Sequence, residues 1–351
     1  MQKYKVKTYA EAINDALRES LKKDKNLICY GMGVGDPKEV FNTTKNLQNT
    51  FSKNRVFDVP ASENALTGIA IGCAIKNCRV VLTHQRVDFA LLSMDQIINN
   101  ASKFHYIFNG KIKVPITIRL IIGRGWGQGA THSQSLQSVF SHFPGLKVVM
   151  PASPDDAKKL LISSIFDPNP VVFLEHRWLH DQKGMVEIGF KKKDLGKANL
   201  VNKGKDLTII SVSYMTSEAK LATRILEQNN IGVDLIDLAS IKPLDIKTII
   251  KSIKKTGRLI IVDTDFNFLS IASEIISIIS TTSIKYFKSE PIKLTMPDIP
   301  VPSSFNLTKK IYPTYIDIIK KSEKVLGKKI KFEKIRENKH DVPNNFFTGP
   351  F

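Results

Sequence analysis

Cysteine is scarce: the 351-residue chain has three, Cys29, Cys73 and Cys78, in apolar surroundings and without CxxC spacing. That argues against a disulfide framework and a cysteine-held zinc, and for a cytoplasmic location where thiols stay reduced. Long apolar runs are missing too. The longest, around Leu259–Val262, is cut at once by Asp263 and falls far short of the roughly 18 residues of a membrane span. The opening Met1-Gln-Lys-Tyr-Lys-Val-Lys-Thr8 has no apolar signal core, which speaks against secretion. No P-loop signature, GxxxxGK followed by Ser or Thr, occurs. The run Gly31-Met-Gly-Val-Gly35 lacks the third glycine of a dinucleotide fingerprint, and no acid follows it at the expected distance. There is neither a Ser-His-Asp order with a nucleophile elbow nor a metal-spaced cluster.

Acidic residues are also few, 33 against 52 Lys and Arg, for a net charge of +19 and a pI near 9.7. Such a balance invites a nucleic-acid reading. The lysines, however, are scattered among Ile and Asn, and no stripe alternates aromatic with basic residues. The densest basic stretch, Lys320 to Lys334, is diluted by Glu323 and Glu333 and reads as a solvated helix or tail. With 42% apolar and 24% charged residues the chain is globular, and it is long enough for two domains with cores of their own.

Periodicity organises it. Thr8-Tyr-Ala-Glu11 is a capping-box pattern ahead of Ile13, Leu17 and Leu21 at helical spacing. Short apolar strands follow at residues 27–30, 55–58, 79–83, 114–122, 146–150 and 171–174, with helical segments between them, notably a small-residue helix over 65–75. A second alternation runs from Leu207 to about Leu326. Strand and helix in alternation predict α/β architecture, each domain a mostly parallel sheet flanked by helices. The boundaries expected are a first domain over 1–185, a linker over 186–205, a second, smaller domain over 206–326 and a basic tail over 327–351.

Glu63 is the first candidate for chemistry. It follows a strand end and Pro60 and precedes the small-residue helix, and parallel sheets place ligands at the carboxyl ends of their strands. A carboxylate there tends to be desolvated and fitted to proton exchange; the plainer reading is an acid favoured by the helix dipole. Gly123 to Gly129 is a loop that lets backbone approach a ligand, or one that merely crosses a crowded interface, and it leads into Thr131-His132-Ser133-Gln134. His132 and His142 flank an apolar stretch, each a possible acid or base or a structural side chain. His84, Arg86 and Asp88 alternate after a strand and are expected on one face. Arg86 is either an anchor for a substrate carboxylate or phosphate or half of an ion pair with Asp88.

Taken together, Asp58-Val-Pro-Ala-Ser-Glu63, Met94-Asp-Gln-Ile-Ile-Asn99, Thr131-His-Ser-Gln134, Pro144-Gly-Leu-Lys-Val-Val149 and Asp167-Pro-Asn-Pro170 resemble the beta subunit of thiamine-diphosphate-dependent 2-oxo acid dehydrogenases. The resemblance spans roughly residues 5–325, and Asp237-Leu-Ala-Ser-Ile-Lys-Pro243 and Lys255-Thr-Gly-Arg258 match the family's C-terminal domain. It implies the transketolase pair of pyrimidine-binding and C-terminal domains. It implies that Glu63 hydrogen-bonds the aminopyrimidine ring nitrogen of thiamine diphosphate, that Phe89 lies against the pyrimidine and that His132 orients or protonates bound intermediates. Ile116, Ser164, Ile165, Asp167 and Asn169 fall where the family holds a structural potassium ion. Arg86 and His142 are the candidates for substrate contact.

The family's diphosphate half-site, Gly-Asp-Gly followed by Asn, is absent here; the nearest approach is Gly35-Asp36-Pro37. The resemblance therefore implies an alpha subunit that carries the magnesium and diphosphate, in a heterotetramer. Decarboxylation of a 2-oxo acid such as pyruvate, with acyl transfer to the lipoyl group of an acyltransferase, is the leading function. A transketolase-like or acyloin-forming transfer of two carbons is the alternative, and a basic nucleic-acid-binding module is the rival from another class. Departures from the family's pattern are Met32 and Gly33 where acids are common, Arg86 where the residue is uncharged, and Asp263-Thr-Asp-Phe-Asn-Phe-Leu-Ser270 in place of a Gly-Gly.

Overall fold

A computed structural model describes residues 3–36, 39–123 and 127–334. The first half contains strands β1 (Tyr4–Thr8), β2 (Leu27–Gly31), β3 (Val56–Phe57), β4 (Arg79–His84), β5 (Ile116–Ile122), β6 (Lys147–Val149), β7 (Val171–His176) and β8 (Lys183–Glu187). The second contains β9 (Asn199–Asn202), β10 (Leu207–Ser211), β11 (Val233–Asp237), β12 (Ser240–Lys242), β13 (Leu259–Phe266) and β14 (Ile292–Met296). Among the described residues they form a seven-stranded sheet ordered β12-β6-β7-β5-β4-β2-β3, a five-stranded sheet ordered β14-β13-β10-β11-β9, and a β1-β8 ribbon. Pairing is parallel except for β1 with β8, β9 with β11 and β12 with β6.

The central strands are buried on both faces, as all of β5, β7, β10 and β11 are, which is why they read as continuous apolar runs rather than alternating ones. Helix Tyr9–Lys23 starts at the foreseen capping box, with the Thr8 side chain accepting from the N–H of Glu11 and the Glu11 carboxylate accepting from the N–H of Thr8. Its apolar stripe packs on helix Pro154–Ile165, beneath the first sheet. The segment after Ser93, expected to be an ordinary helix, begins as a wider π-helix over Asp95–Ala101 before turning α-helical.

Two features differ from the sequence-based boundaries. The stretch expected as a linker carries backbone pairing: its first two residues, Val186 and Glu187, end β8, which binds β1, and β9 caps one edge of the second sheet. The second half also sends β12 back to extend the first sheet beside β6, and the Lys242 ammonium there donates to the carbonyls of Ser141 and Phe143, each at 2.8 Å. Both hydrophobic clusters accordingly run through the two halves, one on each face of the sheets. Of the expected basic tail only residues 327–334 are described; the rest lies outside the described residues.

Candidate active site

The first sheet opens its carboxyl ends toward three loops. After β3, the Asp58 carboxylate accepts from the N–H groups of Gly33 and Val59, both at 2.8 Å, and so pins the turn leaving β2 to the Val59–Glu63 segment. Gly33 adopts φ +84°, a conformation that favours glycine, and a Cβ there would also displace the end of the Gln85 side chain. Helix Glu63–Ile75 then begins without a side-chain cap at Ser62, which leaves Glu63 in the first turn, where the dipole favours a negative group. The helix is held to the sheet by the Tyr30 hydroxyl, which donates to the Leu66 carbonyl at 2.7 Å, while Tyr30 stacks on Phe57.

Half-buried Glu63 faces a cleft whose walls include Met32, Leu66, Leu82 and Phe89. Phe89 enters from the short helix after β4. Its ring meets that of His132 edge-on, with centroids 5.4 Å apart. His132 arrives on the loop after β5, where Gln134 donates to the Asp88 carboxylate at 2.9 Å and locks that loop to the Phe89 segment. The Thr131 hydroxyl lies 2.9 Å from His132 Nδ1. One carboxylate, one apolar-walled slot and one imidazole are thus supplied by three strand ends of a parallel sheet, which is where such sheets bind ligands. A half-buried acid beside an aromatic wall has the chemistry to hold a flat, nitrogen-containing ring, which would stack on Phe89 and hydrogen-bond through its edge to Glu63.

The other expected residues are placed differently. Arg86 does not line this cleft. It is 4% exposed, donates from Nη1 to the Gly123 carbonyl, lies 5.9 Å from the Phe41 ring and has no hydrogen-bond partner at Nη2. Burial and the nearby Arg177 push its pKa down to about 10. No ion pair joins Arg86 to Asp88 among the described residues. The reason is local. β4 ends at His84 and the chain turns into helix Val87–Ala90, which breaks the two-residue alternation expected to put His84, Arg86 and Asp88 on one face. His84 and Gln85 take the cleft instead. His84 is buried, its Nε2 has no partner, and burial pushes its pKa down to about 4, so it faces the cleft as a neutral ring. The alternation itself contained the signal for His84.

His142 is likewise elsewhere. It is exposed at the end of helix Gln137–His142, edge-on to Phe143, on a separate apolar hollow with Leu269 and Ile271. Of the Gly123 to Gly129 run, residues 124–126 lie outside the described residues. For the cation, Ile116 opens β5, Ser164 and Ile165 close helix Pro154–Ile165, and the turn with Asp167 and Asn169 folds back so that the Pro168 carbonyl accepts from the N–H of Val114 at 3.1 Å. The Ile165 carbonyl already accepts from Arg79 at 3.2 Å, and Asp167 is paired with Lys147. Asn169 Oδ1 is buried without a partner, and a cation bound by oxygens would satisfy it. Among the described residues, no three His, Cys, Asp or Glu side chains converge as a metal site, and no helix is long and apolar enough to cross a membrane.

The transketolase pyrimidine-binding domain matches residues 5–182 and the transketolase C-terminal domain residues 196–318. The chain is 35% identical over 318 residues to the pyruvate dehydrogenase E1 component subunit beta of Rickettsia bellii, covering 91% of this chain and 98% of that one. It is 36% identical over 322 residues to its Bacillus subtilis counterpart, with the same coverage. The acetoin:2,6-dichlorophenolindophenol oxidoreductase subunit beta of Cupriavidus necator matches at 35% over 325 residues, 90% of this chain and 96% of that one. A solved structure titled split gene transketolase, inactive beta4 tetramer, shares the fold with a TM-score of 0.73 at 20% identity, covering 91% and 98%. The chain belongs to the thiamine-diphosphate-dependent family of E1-component beta subunits, built from a transketolase pyrimidine-binding domain and a transketolase C-terminal domain.

Proposed function

We propose that this chain is the beta subunit of a 2-oxo acid dehydrogenase that cleaves a substrate such as pyruvate and passes the acyl group to a lipoyl carrier. The observation that carries the reading is the meeting of Glu63, Phe89 and His132 at the strand ends of the first sheet. Bound thiamine diphosphate supplies the electron sink for breaking the bond beside the keto carbon. Glu63 holds the ring nitrogen of the aminopyrimidine by a hydrogen bond and keeps a proton there. Phe89 and Leu66 exclude water from the ring faces. His132, half-buried at the mouth, orients the substrate's oxygen and exchanges a proton with it.

Glu63→Gln in the assembled enzyme is expected to slow deuterium exchange at the thiazolium carbon, followed by NMR, by at least about 10²-fold with folding intact. An unchanged exchange rate would sink the role of Glu63.

The cofactor's diphosphate and magnesium are assigned to an alpha chain, since Gly-Asp-Gly does not occur in this sequence. Exposed apolar side chains on the cleft helix and the helices packed after it, Ile69, Leu92, Tyr106 and Ile107 at 55%, 67%, 88% and 59%, are compatible with such a partner. The assembly proposed is a heterotetramer in the cytoplasm. Calorimetry on the chain alone is expected to show no magnesium-dependent binding of thiamine diphosphate, and tight stoichiometric binding would refute the shared site. A potassium ion on Asn169 Oδ1 and the neighbouring carbonyls would be structural. The acetoin-enzyme subunit is as similar as the pyruvate dehydrogenase subunits, so a transketolase-like or acyloin-forming transfer of two carbons to a sugar or aldehyde is the second reading. Reductive acylation of added lipoamide, against redox-neutral formation of a hydroxyketone from an added aldehyde, separates the two.

A further inference from the structure

The second sheet ends on an uncovered edge. β14 pairs with β13 on one side and, among the described residues, with no strand on the other. Across from that edge run the turn Lys309–Pro313 and helix Tyr315–Leu326, and the three enclose an open groove of about 890 Å³. Its rim carries Lys293 from the strand, Lys309 and Lys310 from the turn, and Lys320, Lys321 and Lys324 from the helix. Its floor is aliphatic, with Leu294, Met296, Ile311 and Pro313.

Charge in this groove is unbalanced. The two carboxylates on its lining are Asp298 and Asp317, and Asp317 is engaged by the N–H and hydroxyl of Thr314 at 2.9 and 2.8 Å. None of the six lysines forms an ion pair among the described residues. Lysine on an edge strand commonly guards it against aggregation, and Lys293 alone would serve that end. Five of the six stand instead across the groove, on elements with no edge to guard. The Lys293 ammonium is held by the Asn267 carbonyl at 2.7 Å and the Ser273 hydroxyl at 2.6 Å, and that of Lys309 by the Asn306 side-chain oxygen at 3.2 Å; a solvated helix face does not account for the others, because turn and helix both line the same opening with Lys310, Lys320, Lys321 and Lys324.

We propose that this groove docks an acidic, amphipathic segment of a partner protein, laid as an added strand along β14. The free N–H and C=O groups of the edge supply main-chain hydrogen bonds. Alternate side chains of such a strand point to opposite sides, so one set packs on the aliphatic floor while the carboxylates of the other meet the lysine rim. A nucleic acid is disfavoured by the floor: single strands are held by exposed aromatic platforms, and Tyr312, the aromatic residue of this lining, is buried. The proposal does not depend on which reaction the Glu63 cleft performs.

The test is fluorescence anisotropy on the full chain with a short labelled peptide of alternating glutamate and leucine. The same peptide with lysine for glutamate and a labelled oligouridylate serve as competitors. The acidic peptide is expected to bind with a salt-dependent affinity and to protect the β14 amides from hydrogen exchange. Combined Lys320→Glu, Lys321→Glu and Lys324→Glu is expected to weaken it at least about tenfold, since each exposed charge pair contributes a few tenths to one kcal/mol, with the melting curve unchanged. Equal binding by the charge-reversed chain, preference for the oligouridylate, protection elsewhere than β14, or no binding would each overturn the proposal.

Discussion

Arg119→Met is the sharpest test of how the first sheet is held together. Arg119 sits mid-strand in β5 with its side chain fully buried, and so does Glu175 on neighbouring β7. The guanidinium donates to Glu175 from Nε at 2.5 Å and from Nη2 at 3.0 Å, to Thr43 at 2.9 Å and to Thr83 of β4 at 3.4 Å. It therefore ties three adjacent strands together, and Thr83 is a wall of the Glu63 cleft. Burial by itself would push the Glu175 carboxyl up. The charge of Arg119 and its hydrogen bonds, with the His180 ring 3.5 Å away, outweigh that and hold it below the usual range. Methionine fills similar volume but leaves a buried carboxylate uncompensated, a loss of about 3–5 kcal/mol. Unfolding entropy near 2.1 cal/mol/K per residue, over 351 residues, converts this to about 4–7 °C in Tm. In the wild type the depressed carboxyl contributes stability above its ordinary pKa and loses it as pH falls through the folded value. In the variant the sign reverses. Glu175 is then a raised acid, and the deficit shrinks as pH is lowered and the group takes a proton. Urea unfolding followed by circular dichroism, at neutral and at mildly acidic pH, reads both effects. Arg119→Met with Glu175→Leu is expected to recover most of the loss. A loss below about 1 kcal/mol, within the range of an exposed pair, or a double variant no better than the single one, would refute the reasoning.

Asp263 is fully buried at the contact between the halves; its Oδ1 accepts from Gln137 at 2.8 Å and its Oδ2 has no partner. Burial, then the charge of Asp265, pushes it up to about 8. Stability contributed by a raised acid is complete below its ordinary pKa and lost as pH rises through the folded one. Amide exchange in helix Gln137–His142, corrected for intrinsic rate, is therefore expected to quicken as pH rises from the ordinary carboxyl range to about 8 and to level off above it, and Asp263→Asn should flatten that dependence. Gly145→Ala is expected to cost at least about 2 kcal/mol, because φ is +89° and the new Cβ would lie 1.9 Å from the Ser102 carbonyl oxygen; an unchanged Tm would contradict the backbone geometry. His132→Ala in the assembled enzyme should lower kcat by about 10²–10⁴ with the melting curve unmoved, and retained turnover would remove His132 from the mechanism.

Much of this protein is written in local pattern. The strands of the first sheet are legible because parallel strands buried on both faces must be apolar throughout, and Thr8 with Glu11 announces a helix start by chemistry that needs nothing distant. Glu63 stands out for the same reason: a strand, a turn and a small-residue helix around one acid place it at a sheet's carboxyl end whatever else the chain does. The rest is non-local. β1, β8, β9 and β12 are short or polar segments whose identity as strands depends on the neighbour that accepts their hydrogen bonds, and that neighbour lies far along the chain. The exchange of Arg86 for His84 at the cleft turns on where β4 stops, and the removal of His142 to another hollow turns on the direction of one short helix. The lysine groove has no counterpart in the linear pattern, in which its residues span 293–324 and resemble any solvated basic stretch. Periodicity reports which face of an element is apolar. Only packing decides which element lies against it, and so which side chains share a space.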